Sequence, residues 1–162
     1  GAPTGPRAIE AVELTGDYLT MRRATNRGTW TVFNSQNTAI IREMAPAFFM
    51  VPQWGRYDDI FAGLIVQRLM RERGLVTHFG PPFVWQQRNV HYLLRDLRAE
   101  QFGAERILDF SIWLDGCSFS GRERVTDQMR VMFTNLPDWM PDRTEIQGMV
   151  LAWCDDCDGV MQ

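Results

Sequence analysis

The chain has no lysine: all 17 of its basic residues are arginine. Schiff-base catalysis and phosphate binding by a lysine ammonium are therefore excluded. Cysteine is scarce, and the 3 present, Cys117, Cys154 and Cys157, form no even disulfide framework; they point to a reduced, cytoplasmic setting. The 2 histidines are His78 and His91. No apolar run approaches the ~20 residues of a membrane-spanning helix. A net charge of −3 supplies no basic field that would steer the protein to nucleic acid or an anionic membrane.

What remains is the composition of a globular protein. The 162 residues are 45% hydrophobic and 12% aromatic, enough to bury a substantial core as one domain. Gly1 to Pro6 has neither the basic start nor the apolar core of a signal peptide. Residues 1–11 read as a linker, a cloning remnant or the cut edge of a longer protein. From Val12 to Arg23 the pattern is extended and broken by Thr15-Gly16-Asp17, a turn between two strands. Trp30 to Phe33 reads as a strand, and Thr38 to Met44 as a short helix stopping before Pro46.

The clearest helix follows Gly55. Ile60, Phe61, Leu64, Ile65 and Leu69 recur at helical spacing and predict one wide apolar face. Asp58 and Asp59 stand at its start, Arg71 and Arg73 in its last turn, and Gly74 as a left-handed stop. Leu75 to Phe79 is a strand candidate before the rigid Gly80-Pro81-Pro82 turn. Asn89 can cap a helix carrying Val90, Leu93, Leu94 and Leu97, with Gly103 after its end. Ile107 to Leu114 fits a strand or a buried helical turn. Ser120 with Glu123, and Thr144 with Gln147, match capping boxes before two further helices.

The segment Gly55-Arg56-Tyr57-Asp58-Asp59 carries the densest chemistry. A helix N-terminus favours ionised carboxylates, so one of the pair can accept a proton from a sugar hydroxyl or hold a divalent metal. Adjacent helical residues point about 100° apart, so only one of the two faces any given pocket. The bland alternative is that Asp58 caps the helix and Asp59 complements its dipole. Downstream, Trp85-Gln86-Gln87-Arg88 joins an aromatic platform to three hydrogen-bonding side chains, a composition suited to sugar rings; Trp85 as a core residue is the alternative. Cys154-Asp155-Asp156-Cys157-Asp158 combines a Cys-x-x-Cys spacing with an Asp-x-Asp. Without a second cysteine pair it reads as a solvated acidic helix end rather than a zinc site.

Gly55-Arg56-Tyr57-Asp58-Asp59-Ile60-Phe61-Ala62-Gly63 resembles the RYDDMWAG segment of the reversibly glycosylated polypeptides, which include UDP-arabinopyranose mutases. The resemblance continues through Gly74-Leu75, Gly80-Pro81-Pro82-Phe83-Val84-Trp85 and Asn89, and covers about residues 30–100. It implies an α/β fold, or a mixed α+β one. A partial GT-A-like acceptor-side sheet with flanking helices would occupy 12–105, with a mainly helical region, 106–162, packed on it as one domain. It implies catalysis by Asp58 or Asp59, and contacts from Arg56, Tyr57, Gln36 and Asn37 to sugar or phosphate. A nucleotide sugar, a carbohydrate acceptor and a divalent metal, manganese or magnesium, would be the ligands. Gln86 stands where that family has histidine, so no metal histidine is carried over and the metal ligands stay unassigned. A nucleotide-binding half needs on the order of a hundred residues, so it would come from upstream or from a partner subunit. Three readings follow: a glycosyltransferase or sugar-nucleotide mutase, a non-catalytic binding or assembly module, and an excised acceptor domain.

Overall fold

Every residue from Phe61 to Leu69 is buried, including Gln67 and Arg68. The helix expected to show one apolar face is therefore enclosed over this stretch, with other described elements packed around it. The computed structural model describes residues 23–25, 29–80, 87, 91–120 and 123–160. In chain order they form β1 (Arg23–Ala24), 3-10 turns at Arg42–Ala47 and Pro52–Tyr57, and α1 (Asp58–Glu72), the buried helix. β2 (His78–Phe79), α2 (Leu93–Gly116), α3 (Val125–Thr134) and α4 (Arg143–Val160) follow.

The expected α/β sheet is not formed; the described residues are mostly helical. Their β-structure is one antiparallel pair, Arg23 against Phe79 and Ala24 against His78. Trp30 to Phe33 is not a strand, for a specific reason. The Gln67 carboxamide accepts the Thr31 N–H at 3.0 Å and donates to the Thr31 carbonyl at 2.7 Å. A side-chain amide carries the same donor and acceptor as a peptide, so it satisfies this segment without a neighbouring strand. The hairpin expected over Val12 to Arg23 lies outside the described residues, apart from Arg23.

The helices also depart from expectation at their ends. No helix spans Thr38 to Met44; a 3-10 turn starts at Arg42 and contains Pro46. Gly103 does not end α2, which runs on to Gly116 and absorbs the 107–114 segment across the expected boundary at 105. Glu123 Oε1 does accept the Ser120 N–H at 3.0 Å, yet α3 begins later, at Val125. Thr144 lies inside α4 rather than at its cap. Gly74, at φ +66°, follows the end of α1 as expected.

One aromatic cluster joins these elements. The Phe61 ring of α1 stacks on Phe110 of α2 with centroids 4.2 Å apart, and Trp54 meets both edge-on at 5.4 Å. Phe133 of α3 closes the group against Trp54 at 6.3 Å. Such pairs add about 0.5–1.5 kcal/mol each beyond the area they bury. Two arginine contacts, from buried Arg68 and half-buried Arg73, are equally directed. Arg68 donates to the carbonyls of Leu114 (2.8 Å) and Cys117 (2.6 Å), satisfying the C-terminal end of α2 with a cation. Arg73 reaches Gln128 Oε1 at 2.7 Å and the Glu123 carbonyl at 3.0 Å, fastening the end of α1 to the start of α3.

Candidate functional site

Gly55, at φ +58° and ψ −131°, lets the chain turn out of the second 3-10 segment into α1. The four residues after it point to four different tasks. Arg56 leaves the helix entrance for α2, with Nε 2.8 Å from Glu100 Oε1 and NH1 3.7 Å from Asp96. Tyr57 packs closely against Gly103: a Cβ there would sit 1.9 Å from the tyrosine Cγ. Asp58 accepts the Asp59 N–H at 2.7 Å, and partial burial pushes its carboxyl above the ordinary value. It is not the helix cap; Tyr57 holds that position, without a side-chain cap bond.

Asp59 does something the sequence did not signal. Its Oδ2 accepts both the backbone N–H of Ser35 (2.8 Å) and the Ser35 hydroxyl (3.0 Å). The Ser35 segment is a tight polar turn: the Gln36 N–H donates to Asn34 Oδ1 at 3.2 Å, and the Thr38 hydroxyl to the Asn34 carbonyl at 2.5 Å. A carboxylate accepting two bonds from one residue fixes that turn relative to α1. The polar loop and the acidic pair are thus brought together, by Asp59 and Ser35. Gln36 itself is exposed on the turn, and Asn37 faces a cavity.

Of the second expected cluster, Trp85, Gln86 and Arg88 lie outside the described residues, and Gln87 is exposed in irregular chain. In the C-terminal cluster Cys154 is buried and Asp155 and Asp158 pair with Arg130 of α3, at 2.6 and 2.9 Å. That acidic helix end is therefore partly an interhelical lock rather than wholly solvated. Burial pushes the Cys154 thiol up to about 11. Among the described residues no group of three or more His, Cys, Asp or Glu side chains is placed to hold a metal ion. Asp58 and Asp59 bring two carboxylates, and among the described residues no third His, Cys, Asp or Glu joins them. Nor, among the described residues, is any helix long and apolar enough to cross a membrane.

The turn held by Asp59 forms one wall of a cavity of about 670 Å³. Asn34, Asn37 and Thr38 line that wall, and Met44, Val66, Met70 and the 75–80 segment complete the lining. Val32, Ile41, Val76 and Phe79 belong to the lining and are 38% to 54% exposed. Thr77 and His78 add hydrogen-bonding groups. Of this site sequence reasoning named Asn37; it missed the apolar lining because most of it, such as Val32, Ile41 and Val76, belongs to short irregular segments with no period to reveal it. Gln67 had a signal: seven residues after Ile60, it interrupts the apolar helical repeat with an amide.

Comparison with protein-family models, with curated proteins and with solved structures found no match.

Proposed function

We propose that this chain is a binding module whose cavity takes a small, largely apolar molecule carrying a few hydrogen-bonding groups. The observation behind this reading is the convergence of Val32, Ile41, Val76 and Phe79 on one cavity. Exposed large apolar side chains gathered at one concave site mark recognition surfaces rather than ordinary surface scatter. About 670 Å³ falls within the ~300–1,000 Å³ of small-molecule pockets. Asn37, Thr77 and His78 would orient the ligand, and Asp59 acts as a positioning residue through Ser35. The free cysteines suit a reducing compartment, so we place the module in the cytoplasm.

The fixed partners of Arg56 and Asp59 favour binding over sugar transfer. Arg56 is engaged by Glu100 rather than by a donor phosphate, and Asp59 by Ser35 rather than by a sugar hydroxyl or a metal. Titration with the neutral dye Nile red tests the reading. Saturable fluorescence gain is expected, weakened about tenfold by Ala39→Trp, which fills the cavity wall, a change of about 1.4 kcal/mol. Unchanged dye binding in Ala39→Trp would remove the cavity from consideration. Calorimetric titration with UDP-glucose and manganese separates the rival: heat that disappears in Asp59→Asn would establish nucleotide-sugar chemistry instead.

A further inference from the structure

No described residue of the cavity lining is Arg, Asp or Glu, in a chain of which 23% is charged. Charged side chains close in sequence to the lining are directed elsewhere. Glu43 pairs with Arg73 at 3.1 Å, Arg71 with Asp115 at 2.9 Å, and Asp59 accepts the Ser35 N–H at 2.8 Å. Arg42, beside Ile41, is exposed and outside the lining. An ion entering this site would shed water and meet no opposite charge among the described residues. Hydrogen bonds from neutral groups offset that cost only in part.

The neutral residues describe what the cavity takes instead. Phe33 and Phe79 bring two aromatic rings to the lining, and Met44 and Met70 bring two thioethers. These polarisable groups favour an aromatic ring as their partner. Phe33 packs closely on α1, where a Cβ at Gly63 would lie 3.0 Å from its ring. On the polar wall, Asn34 Oδ1 accepts the Gln36 N–H at 3.2 Å, and the Asn34 carbonyl accepts the Thr38 hydroxyl at 2.5 Å. Asn37 is not drawn into the hydrogen bonds that hold this turn. Its carboxamide offers a donor and an acceptor side by side, the complement of another amide edge. On the binding-module reading, we propose that the ligand is an uncharged aromatic molecule with an amide-type edge, read by Asn37, and that the cavity rejects the corresponding carboxylate.

Displacement of Nile red from the full chain at pH 8 tests this with three probes that share one ring system: 2-naphthamide, methyl 2-naphthoate and ionised 2-naphthoate. The amide should displace the dye at concentrations about tenfold below those the carboxylate needs. The ester, uncharged but without an N–H, should fall between them. Asn37→Leu should bring the amide level with the ester, because it removes the group that tells them apart. Comparing two probes on one protein cancels any change the substitution makes to the cavity as a whole. Equal displacement by amide and carboxylate, or none by either, would overturn the proposal. So would an amide preference over the ester that survives Asn37→Leu. In each of these cases dye binding that is saturable and weakened by Ala39→Trp keeps the cavity as a binding site, so only the ligand class falls. Absence of saturable dye binding would remove both.

Discussion

Gly103→Ala and Gly148→Ala make the same chemical change in the interior of two helices and should move stability in opposite directions. On helix propensity alone each exchange stabilises by about 1 kcal/mol. At Gly148 the new Cβ meets nothing within 4 Å, so that gain should appear nearly whole. At Gly103 the Cβ would lie 1.9 Å from Cγ, 2.3 Å from Cδ1 and 2.5 Å from Cβ of Tyr57. These are stem atoms of a ring packed 5.7 Å from Phe61, so no rotation about a flexible end relieves the overlap. Reaching ordinary contact requires Tyr57 and α2 to separate by about 1.5 Å. Overpacking of this kind costs about 1–3 kcal/mol, at the upper end here because the displaced group belongs to the central cluster. Net of propensity, Gly103→Ala should lose about 2 kcal/mol. For a chain of this length the thermal midpoint should fall by ~4–8 °C, against a rise of ~2–4 °C for Gly148→Ala. Differential scanning calorimetry reads both, and Tyr57→Ala in the Gly103→Ala background should recover part of the loss through direct coupling. A Gly103→Ala protein as stable as the parent would refute the close approach of Tyr57 and with it the reason that α2 passes through Gly103.

Other expectations follow from the same contacts. Asp59→Ala should lower stability by about 1 kcal/mol and speed hydrogen exchange at Ser35, because it removes both bonds that hold the turn; unchanged exchange there would count against the latch. The bonds from Arg124 to Asp127 and from Thr126 to Asp158 hold these carboxyls below their ordinary 3.8. A depressed folded value gives stabilisation that is present above 3.8 and lost as pH falls through the lower value. Arg124→Gln with Thr126→Val should therefore flatten the acid limb of a midpoint-versus-pH curve; an unaltered limb contradicts the assignment. Asp58 has the opposite sign: burial raises its carboxyl, so its penalty exists at neutral pH and is relieved in acid. Asp58→Asn should accordingly raise the midpoint at pH 7 and leave it little changed in acid. Burial pushes Cys154 up to about 11, so in native protein at pH 8 a maleimide should label it only at the rate of unfolding. Prompt labelling of Cys154, located by peptide mass, would show that its pocket opens.

The amino-acid sequence determined α1 almost residue by residue. Its acidic start, its apolar repeat and the left-handed Gly74 are local signals, and each acts through a turn or two of backbone. The same locality revealed α3 and α4 through their capping patterns, although these misplaced the first residues of both helices. Locality is also where the sequence misled. Gly103 looked like a helix end because propensity cannot see the Tyr57 ring that needs its missing side chain. Trp30 to Phe33 looked like a strand because its residue types suit one, while its hydrogen bonds come from Gln67 on α1. Arg56-Tyr57-Asp58-Asp59 looked like one site, yet the tertiary structure sends Arg56 and Tyr57 to α2 and Asp59 to Ser35. Helical periodicity is written in neighbouring residues, whereas the cavity wall and the Arg68 and Arg73 clamps depend on segments meeting across the fold. Those contacts exist only once α1 is buried, and they decide which polar residues serve the structure and which face the cavity.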